Sequence, residues 1–367
     1  MCTLSSFSFL KDAAVQGSWE AQGFGNSTDS MRTQVLTGDS AKGARGAVGV
    51  YTVNVTLDEC TVDGATVVFT IDRGIHRHAL FKIAGQFVGE HRGYLTPFEA
   101  VLTGDVLKEC YTSCEIEITL DGGRPPHIDP LMGAMDDDTD GEGLNGWVGL
   151  NGHVAIECRP PIYIDGGVGG IVPPQVTHPP VTVASIGKPL QISVGMNISG
   201  GSAHVRVQIF EVATNISVGS GAQPSATGHV NVSVTIPAVK LWSPEERNLY
   251  RVLATIYAGS DPKTVVDVAI TRFGVRTITT DGYKLMLNGL RLFLSGYGDD
   301  AVYPLTVSPP RTKDPYEKKV KLAHDLGFNF VRHHSHVRLP ANPPSFSDND
   351  DSGSMMTGTP SRISRSN

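Results

Sequence analysis

The sequence has little charge and no long apolar run, and each scarcity excludes a class of protein. Charged residues make up 18% of the 367 residues, and the net charge is −7. Nucleic-acid binding needs a concentrated basic face, and the sequence shows none. No apolar run approaches the roughly 20 residues that cross a bilayer. We therefore expect neither a nucleic-acid partner nor a membrane-spanning segment.

Cysteine is too sparse for a disulfide framework. The five cysteines are an odd number, and Cys110 and Cys114 lack the second pair that a zinc site needs. We expect packing or surface positions for them.

The N-terminus has no basic region before its apolar stretch, so no signal peptide is predicted. A secreted parent protein stays open, because sequons of the form Asn-x-Ser/Thr are present. They occur at Asn26, Asn54, Asn197, Asn215 and Asn231.

Glycine (41) and proline (23) are abundant, which is typical of many short strands joined by turns. Apolar and polar residues alternate with period two, which predicts strands at 49–57, 65–71, 79–83 and 114–120. Many strands at this spacing predict a jelly-roll domain over residues 1–160. An Asp- and Gly-rich loop at 122–143 interrupts the pattern. It lacks the ligand spacing of a calcium loop, so we expect a solvated acidic loop and no metal.

A second β domain is predicted over residues 161–275. Segments 189–194, 204–210, 230–236 and 249–257 alternate in the same way. A domain of roughly 110 residues with such strands fits an immunoglobulin-like β-sandwich.

The pattern changes after residue 275. Asn288-Gly289 between two apolar runs is a strong hairpin signal. Asp314-Pro315 predicts a helix start and Gly327 a helix end, before a short apolar strand at 328–332. Strand, helix and strand predict the first βαβ part of an incomplete (β/α)8 barrel over 276–340. The tail, 341–367, has no periodicity and is expected to be disordered.

Segments of the chain, in order, resemble family 2 glycoside hydrolases, the group of β-galactosidases, β-glucuronidases and β-mannosidases. The early motifs are GSWEAQGFG at 17–25, GQFVGEHRGYLTPF at 85–98 and GWVGLNGHV at 146–154. The later and more specific ones are LWSPE at 241–245, RFGVR at 272–276, LNG at 287–289 and LGFNFVRHHSH at 326–336. The resemblance covers about residues 17–339, and it implies the three domains given above.

The resemblance also implies a reaction that uses two carboxylates, one protonating the leaving oxygen and one attacking the anomeric carbon. It places them on middle and late barrel strands, with the acid following an Asn. The chain contains no Asn-Glu dipeptide, and a full barrel needs around 250 residues. We therefore expect a chain truncated early in the barrel that carries no catalytic residue and is itself inactive.

The resemblance leaves the rim of a sugar site in this chain. Arg332 resembles the Arg that supports the nucleophile, and His334 and His336 resemble a sugar-contacting His. Asp299, Asp300 and Tyr303 follow the first barrel strand, where they would bind sugar hydroxyls or form an ordinary polar loop. We expect no metal at His333, His334 and His336, because no carboxylate or Cys partner lies nearby in sequence. No cofactor is expected.

Two classes of function remain open at this point. One is an O-glycosyl hydrolase whose ligand is a β-glycoside. The other is a non-catalytic carbohydrate-binding or interaction protein built from β domains. The identity of the sugar, the compartment and the oligomeric state are not determined by these residues.

Overall fold

A computed structural model describes the following residues: 2–3, 8–9, 17–18, 48–57, 64–71, 75–94, 97–121, 149–150, 152, 154–166, 174–258, 264–299, 310, 313–333 and 361–362. The fold is mainly β, as the period-two alternation predicted. Two compact units are present. The first comprises the described residues within 1–159, 298–315 and 332–342, and the second comprises those within 160–297, 316–331 and 343–367.

The strands and helices, in chain order, fall into an early and a late group. The early group consists of β1 (Cys2–Thr3), β2 (Ser8–Phe9), β3 (Gly17–Ser18), β4 (Val48–Val55), β5 (Thr66–Ile71), β6 (Ile75–Ile83), β7 (Gln86–Tyr94), β8 (Phe98–Val101), α1 (Gly104–Cys110), β9 (Cys114–Asp121), β10 (Gly149–Leu150) and β11 (Val154–Arg159). The late group consists of β12 (Tyr163–Asp165), β13 (Gln175–Thr177), a 3-10 helix (Val183–Ser185), β14 (Leu190–Glu211), β15 (Ser217–Ile236), β16 (Tyr250–Ala258), β17 (Val265–Phe273), β18 (Ile278–Asp281), β19 (Lys284–Leu287), β20 (Leu290–Arg291), β21 (Gly296–Asp299), α2 (Asp314–Asp325), β22 (Phe330–His333) and β23 (Ser361–Arg362).

The first unit is a sandwich of two antiparallel sheets. One sheet has the order β1-β11-β5-β8, and the other has the order β2-β4-β9-β6-β10-β3, with β7 added to β6. Because side chains alternate across a strand, one face of each sheet is apolar. Phe69 of β5 and Phe81 of β6 are fully buried in one core, and the Phe81 ring stacks on Phe98 at 4.3 Å between centroids. This packing agrees with the sandwich that the sequence predicted.

The cysteine expectation was wrong for three residues. Cys110 ends α1 and Cys114 begins β9, and the turn between them brings their Cα atoms to 4.6 Å, where they form a disulfide. Cys158 on β11 is also disulfide-bonded. The short helix α1 was not predicted from the sequence. Its burial of Val106 and Cys110 stabilises a segment too short to show helical periodicity.

The second unit is a sandwich built around one very long strand. The order is β12-β14-β16-β17-β23, with β13 and β15 also paired to β14. Strand β14 includes both predicted segments, 189–194 and 204–210, and changes register between Ile198 and Ala203. Gly200 allows the bend, because its φ is +84° and a Cβ there would lie 1.8 Å from the Pro161 carbonyl oxygen.

The tail, 341–367, was expected to be disordered. It lies outside the described residues except for Ser361–Arg362, which pair antiparallel with Ile270 and Ala269 of β17. The predicted acidic loop at 122–143 also lies outside them. Within the described part of the chain, no helix combines the length and the apolar character that a bilayer span requires.

A buried tyrosine anchors the second sandwich. The Tyr250 hydroxyl oxygen accepts a hydrogen bond from the Lys240 backbone N–H at 2.8 Å, and burial raises the pKa of Tyr250. We expect Tyr250→Phe to lower the free energy of unfolding by about 1 kcal/mol, because the ring is kept and one hydrogen bond is lost. Urea denaturation of the full chain would measure the change. Tyr257→Phe, at a buried ring edge-on to His204, is the matched control. An equal loss in both variants would contradict this role for the hydroxyl.

The segment after residue 275 forms a hairpin, a helix and a short sheet. Strands β18, β19 and β20 form a three-stranded sheet, and β21 pairs with β22. Helix α2 ends as predicted, since Gly327 has φ +83° and the Phe328 N–H donates to the Ala323 carbonyl oxygen at 2.9 Å. The structure thus confirms the predicted hairpin, helix and strand.

Large apolar side chains in this segment face solvent. More than half of the surface of each of these residues is exposed: Leu290, Phe293, Leu322 and Leu326. Since unburied apolar surface adds little stability, we expect limited proteolysis to cut within 276–340 before it cuts either sandwich. Peptide mapping by mass spectrometry over a digestion time course would identify the first cuts. Equal protection along the whole chain would contradict the prediction.

Candidate functional site

The candidate sugar site is built on the ends of β21 and β22, which are held together by Asn329. Its Oδ1 accepts a hydrogen bond from the Ser295 N–H at 2.9 Å, and its Nδ2 donates to the Phe293 carbonyl oxygen at 2.9 Å. Its backbone N–H donates to the Ser295 carbonyl oxygen at 2.8 Å. One side chain therefore fixes the residues before β21 to the start of β22.

Close packing brings these strands together. At Gly296, a Cβ would lie 2.5 Å from the Phe330 carbonyl oxygen, so this contact requires glycine. The Tyr297 ring contacts Phe328 at 5.8 Å between centroids, and the Lys319 Nζ of α2 lies 5.8 Å from the Tyr297 centroid. The ammonium–aromatic contact connects the helix to strand β21.

Two of the predicted site residues lie on these paired strands. Asp299 is the last residue of β21 and is 3% exposed, whereas Arg332 lies on β22 and is exposed. The sequence placed Asp299 after its strand; the structure places it at the end of the strand, inside the fold. The other predicted residues lie outside the described part of the chain: Asp300, Tyr303, His334 and His336.

The hairpin motif LNG holds the neighbouring segments together. Asn288 has φ +53° and is 4% exposed. Its Oδ1 accepts from the Thr277 N–H at 2.9 Å, and its Nδ2 donates to the Trp242 carbonyl oxygen at 3.0 Å. Its own carbonyl oxygen accepts from the Val183 N–H at 3.0 Å. Two motifs that the sequence could only list separately, LNG and LWSPE, therefore meet at one buried asparagine, together with Thr277, which directly follows RFGVR.

We expect Asn288→Ala to lower the free energy of unfolding by about 2–4 kcal/mol, because two buried hydrogen bonds are lost and alanine is strained at positive φ. Asn288→Gly is the matched control, since it removes the same hydrogen bonds without the backbone strain. Chemical denaturation should give a lower free energy of unfolding for Asn288→Ala than for Asn288→Gly. The role assigned to the side chain fails if both variants unfold like the parent.

Trp242 has a structural position in this junction. The Arg276 guanidinium lies 4.8 Å from the Trp242 ring centroid, and burial lowers the pKa of Arg276. A Cβ at Gly274 would lie 2.8 Å from the Trp242 Cβ. Trp242 is partly buried and its ring is in contact with the Arg276 guanidinium, so packing within the fold accounts for its position. Trp19 and Trp147 lie outside the described residues.

A cluster that the sequence analysis missed lies in the first sandwich. Arg159 donates to both oxygens of Glu99, at 2.5 Å to Oε1 and 3.2 Å to Oε2, and to Glu157 Oε2 at 3.2 Å. Burial works to lower the pKa of Arg159, but the hydrogen bonds and charges of both carboxylates outweigh it and raise that pKa. Both carboxylates are engaged by one guanidinium, so neither is placed to donate a proton to a leaving oxygen. No local signal in the sequence joins Glu99 to Arg159.

The long motif at 85–98 supplies a second, exposed set of polar contacts. Glu90 Oε2 lies 3.3 Å from His78 Nε2 and 3.2 Å from an Arg92 guanidinium nitrogen. The hydrogen bond with His78, followed by that of Arg92, lowers the pKa of Glu90. His78 thus lies on a sheet surface. Nowhere in the described ranges do three His, Cys, Asp or Glu side chains come close enough to hold a metal ion.

Comparison with known proteins agrees with this architecture. Residues 181–276 match the model of the family described as "Glycosyl hydrolases family 2". The chain is 33% identical over 142 residues to a "Putative beta-glucuronidase" from Formosa agariphila. That match covers 37% of this chain and 12% of the relative.

Solved structures share the fold. An FMN-binding β-glucuronidase from Facaelibacterium prausnitzii L2-6 aligns with a TM-score of 0.68 and 21% identity, over 91% of this chain and 48% of that one. A β-glucuronidase from Bifidobacterium dentium, complexed with coumarin-3-O-glucuronide, aligns with a TM-score of 0.65 and 19% identity, over 88% of this chain and 52% of that one. The chain therefore spans about half the length of these two structures.

Proposed function

We propose that this chain, as a member of glycoside hydrolase family 2, supplies the β-sandwich scaffold and part of the sugar-site rim of a β-glycosidase. The observation that carries the proposal is the family match at residues 181–276, which covers most of the second sandwich and includes Val183 and Trp242, two of the residues bonded to Asn288. We also propose the domain division 1–160, 161–275, 276–340 and 341–367.

The proposed ligand is a β-glycoside. Support comes from the relatives that are β-glucuronidases, one of them solved with a bound glucuronide. Arg332, His334 and His336 would hold the sugar together with Asp299, Asp300 and Tyr303, by hydrogen bonds to hydroxyl groups. An aryl β-glucuronide is the first ligand to test.

The finer proposal is that these 367 residues do not hydrolyse the glycoside. Family 2 chemistry needs an acid and a nucleophile on different strands, roughly 5 Å apart across one sugar. Among the described residues, Asp299 is the carboxylate that we propose for the rim, while Arg159 binds Glu99 and Glu157. The missing Asn-Glu dipeptide supports the same conclusion.

Calorimetric titration with 4-methylumbelliferyl β-glucuronide, β-galactoside and β-mannoside tests the ligand class. We expect weak, saturable binding of one of them that falls several-fold in Arg332→Ala. Arg251→Ala, which removes a half-buried arginine at another site, should bind like the parent. If no glycoside binds, or if both variants lose binding equally, the sugar-rim proposal fails and an interaction role for the β domains is favoured instead.

A further inference from the structure

The sequons place several asparagines on the surface of the β domains. All four that fall in the described residues are exposed: Asn54, Asn197, Asn215 and Asn231. Three of them lie on strands, where the exposed face alternates with buried neighbours. Asn26 lies outside the described residues. Surface position is the first requirement for a bulky glycan.

Asn215 differs from the other three because it lies at the tip of a hairpin. Strand β14 ends at Glu211 and β15 begins at Ser217, so the sequon runs out of the turn into the next strand. Asn215 has φ +55°, and its N–H donates to the Glu211 carbonyl oxygen at 2.9 Å. Residues 213–217 are all exposed. The sequon therefore lies on an exposed turn between two strands.

The amide of Asn215 is oriented. An Arg251 guanidinium nitrogen donates to Asn215 Oδ1 at 2.6 Å. Among the described residues no hydrogen bond engages its Nδ2, the atom that a glycan is attached to. In contrast, Asn231 Nδ2 is 3.2 Å from His229 Nε2, and Asn197 Oδ1 is 3.0 Å from His229 Nδ1. Those two sequons therefore lie in a hydrogen-bonded cluster on the sheet, whereas Asn215 lies on an exposed turn.

The disulfides give an independent indication of compartment. Cys110 is bonded to Cys114, and Cys158 is also disulfide-bonded. Disulfides form and persist in oxidising compartments such as the lumen of the secretory pathway. N-linked glycans are attached in the same compartment, so sequon geometry and cysteine chemistry point to the same environment.

We propose that Asn215 is an N-glycosylation site of this protein. In the reaction, Asn215 Nδ2 forms a bond to C1 of an oligosaccharide carried on a lipid pyrophosphate. The bond between C1 and the phosphate oxygen breaks, the lipid pyrophosphate leaves, and the amide nitrogen loses one proton to solvent. No oxidant or reductant is needed. The glycan would extend from the β14–β15 turn.

The test uses the full chain isolated from its own cells. Treatment with peptide-N-glycosidase in ¹⁸O-water converts a glycosylated Asn to ¹⁸O-labelled Asp, which peptide mass spectrometry detects. We expect the label at Asn215, and a gel-mobility shift on deglycosylation. Recovery of the Asn215 peptide solely in its unmodified form would overturn the proposal, whether or not another sequon is labelled.

Sequon variants expressed in the same cells separate glycosylation from folding. Ser217→Ala destroys the sequon but keeps Asn215 and its contact with Arg251, so the label at 215 should be lost. Ser217→Thr keeps a sequon and should retain the label, and Asn231→Gln should leave the label at Asn215 in place. Retention of the label in Ser217→Ala would show that the modification is not sequon-dependent and would overturn the proposal.

Discussion

Replacement of Arg159 by methionine is expected to lower the free energy of unfolding of the first sandwich by about 3–5 kcal/mol, because two carboxylates stay buried without their counter-charge. The side chains of Arg159, Glu99 and Glu157 are only 7%, 14% and 13% exposed. Strand β5 lies between the strands that carry them, β11 and β8. The guanidinium therefore joins two strands that do not pair directly.

Denaturation of the full chain, monitored with a spectroscopic probe in each sandwich, would measure the loss in the free energy of unfolding. Arg92→Met is the matched control: Arg92 pairs with Glu90 on the exposed β7, where a salt bridge contributes about 1 kcal/mol or less. The free energy of unfolding of Arg159→Lys should lie between those of the parent and of Arg159→Met, since lysine keeps the charge but loses the bidentate contact. Similar stabilities for Arg159→Met and Arg92→Met would mean that the buried cluster is not needed for the fold.

The purified chain is expected not to turn over aryl β-galactosides, β-glucuronides or β-mannosides. Hydrolysis rates should stay at the uncatalysed background, roughly 10⁶-fold or more below those of a working enzyme. Glycosidic bonds require a proton donor at the leaving oxygen and a carboxylate at the anomeric carbon. Asp299 and Asp300 would both come from the end of β21, and two carboxylates from one strand end do not flank a sugar from opposite sides. Arg332 supplies positive charge but no nucleophile.

A fluorogenic assay with each of the three glycosides checks this expectation. Activity must be followed through successive purification steps, because a trace of host glycosidase would mimic a weak enzyme. Asp299→Ala and Asp300→Ala are the informative variants. Turnover that follows the pure protein and disappears in either variant would reveal a different, compact active site and would contradict the proposed lack of catalysis.

Most of the local structure followed from the sequence. The strands at 114–120 and 249–257, the hairpin at Asn288-Gly289 and the helix from Asp314 to the Gly327 stop were all predicted and are confirmed. These features depend on residues close to one another in the chain, such as alternation, turn chemistry and helix ends. The candidate site was predicted by resemblance, and the assignment of Arg332 and Asp299 to it stays a prediction.

Tertiary structure alone decided the rest. The sequence determined that residues 189–194 and 204–210 are extended, but only their common pairing with β15 made them parts of one strand, β14. It showed Cys110 and Cys114 four residues apart, but only the turn after α1 brought them within bonding distance. Glu99 and Arg159 are 60 residues apart. Their pairing depends on how three strands are ordered in a sheet, and a pattern of neighbouring residues carries no information about that order.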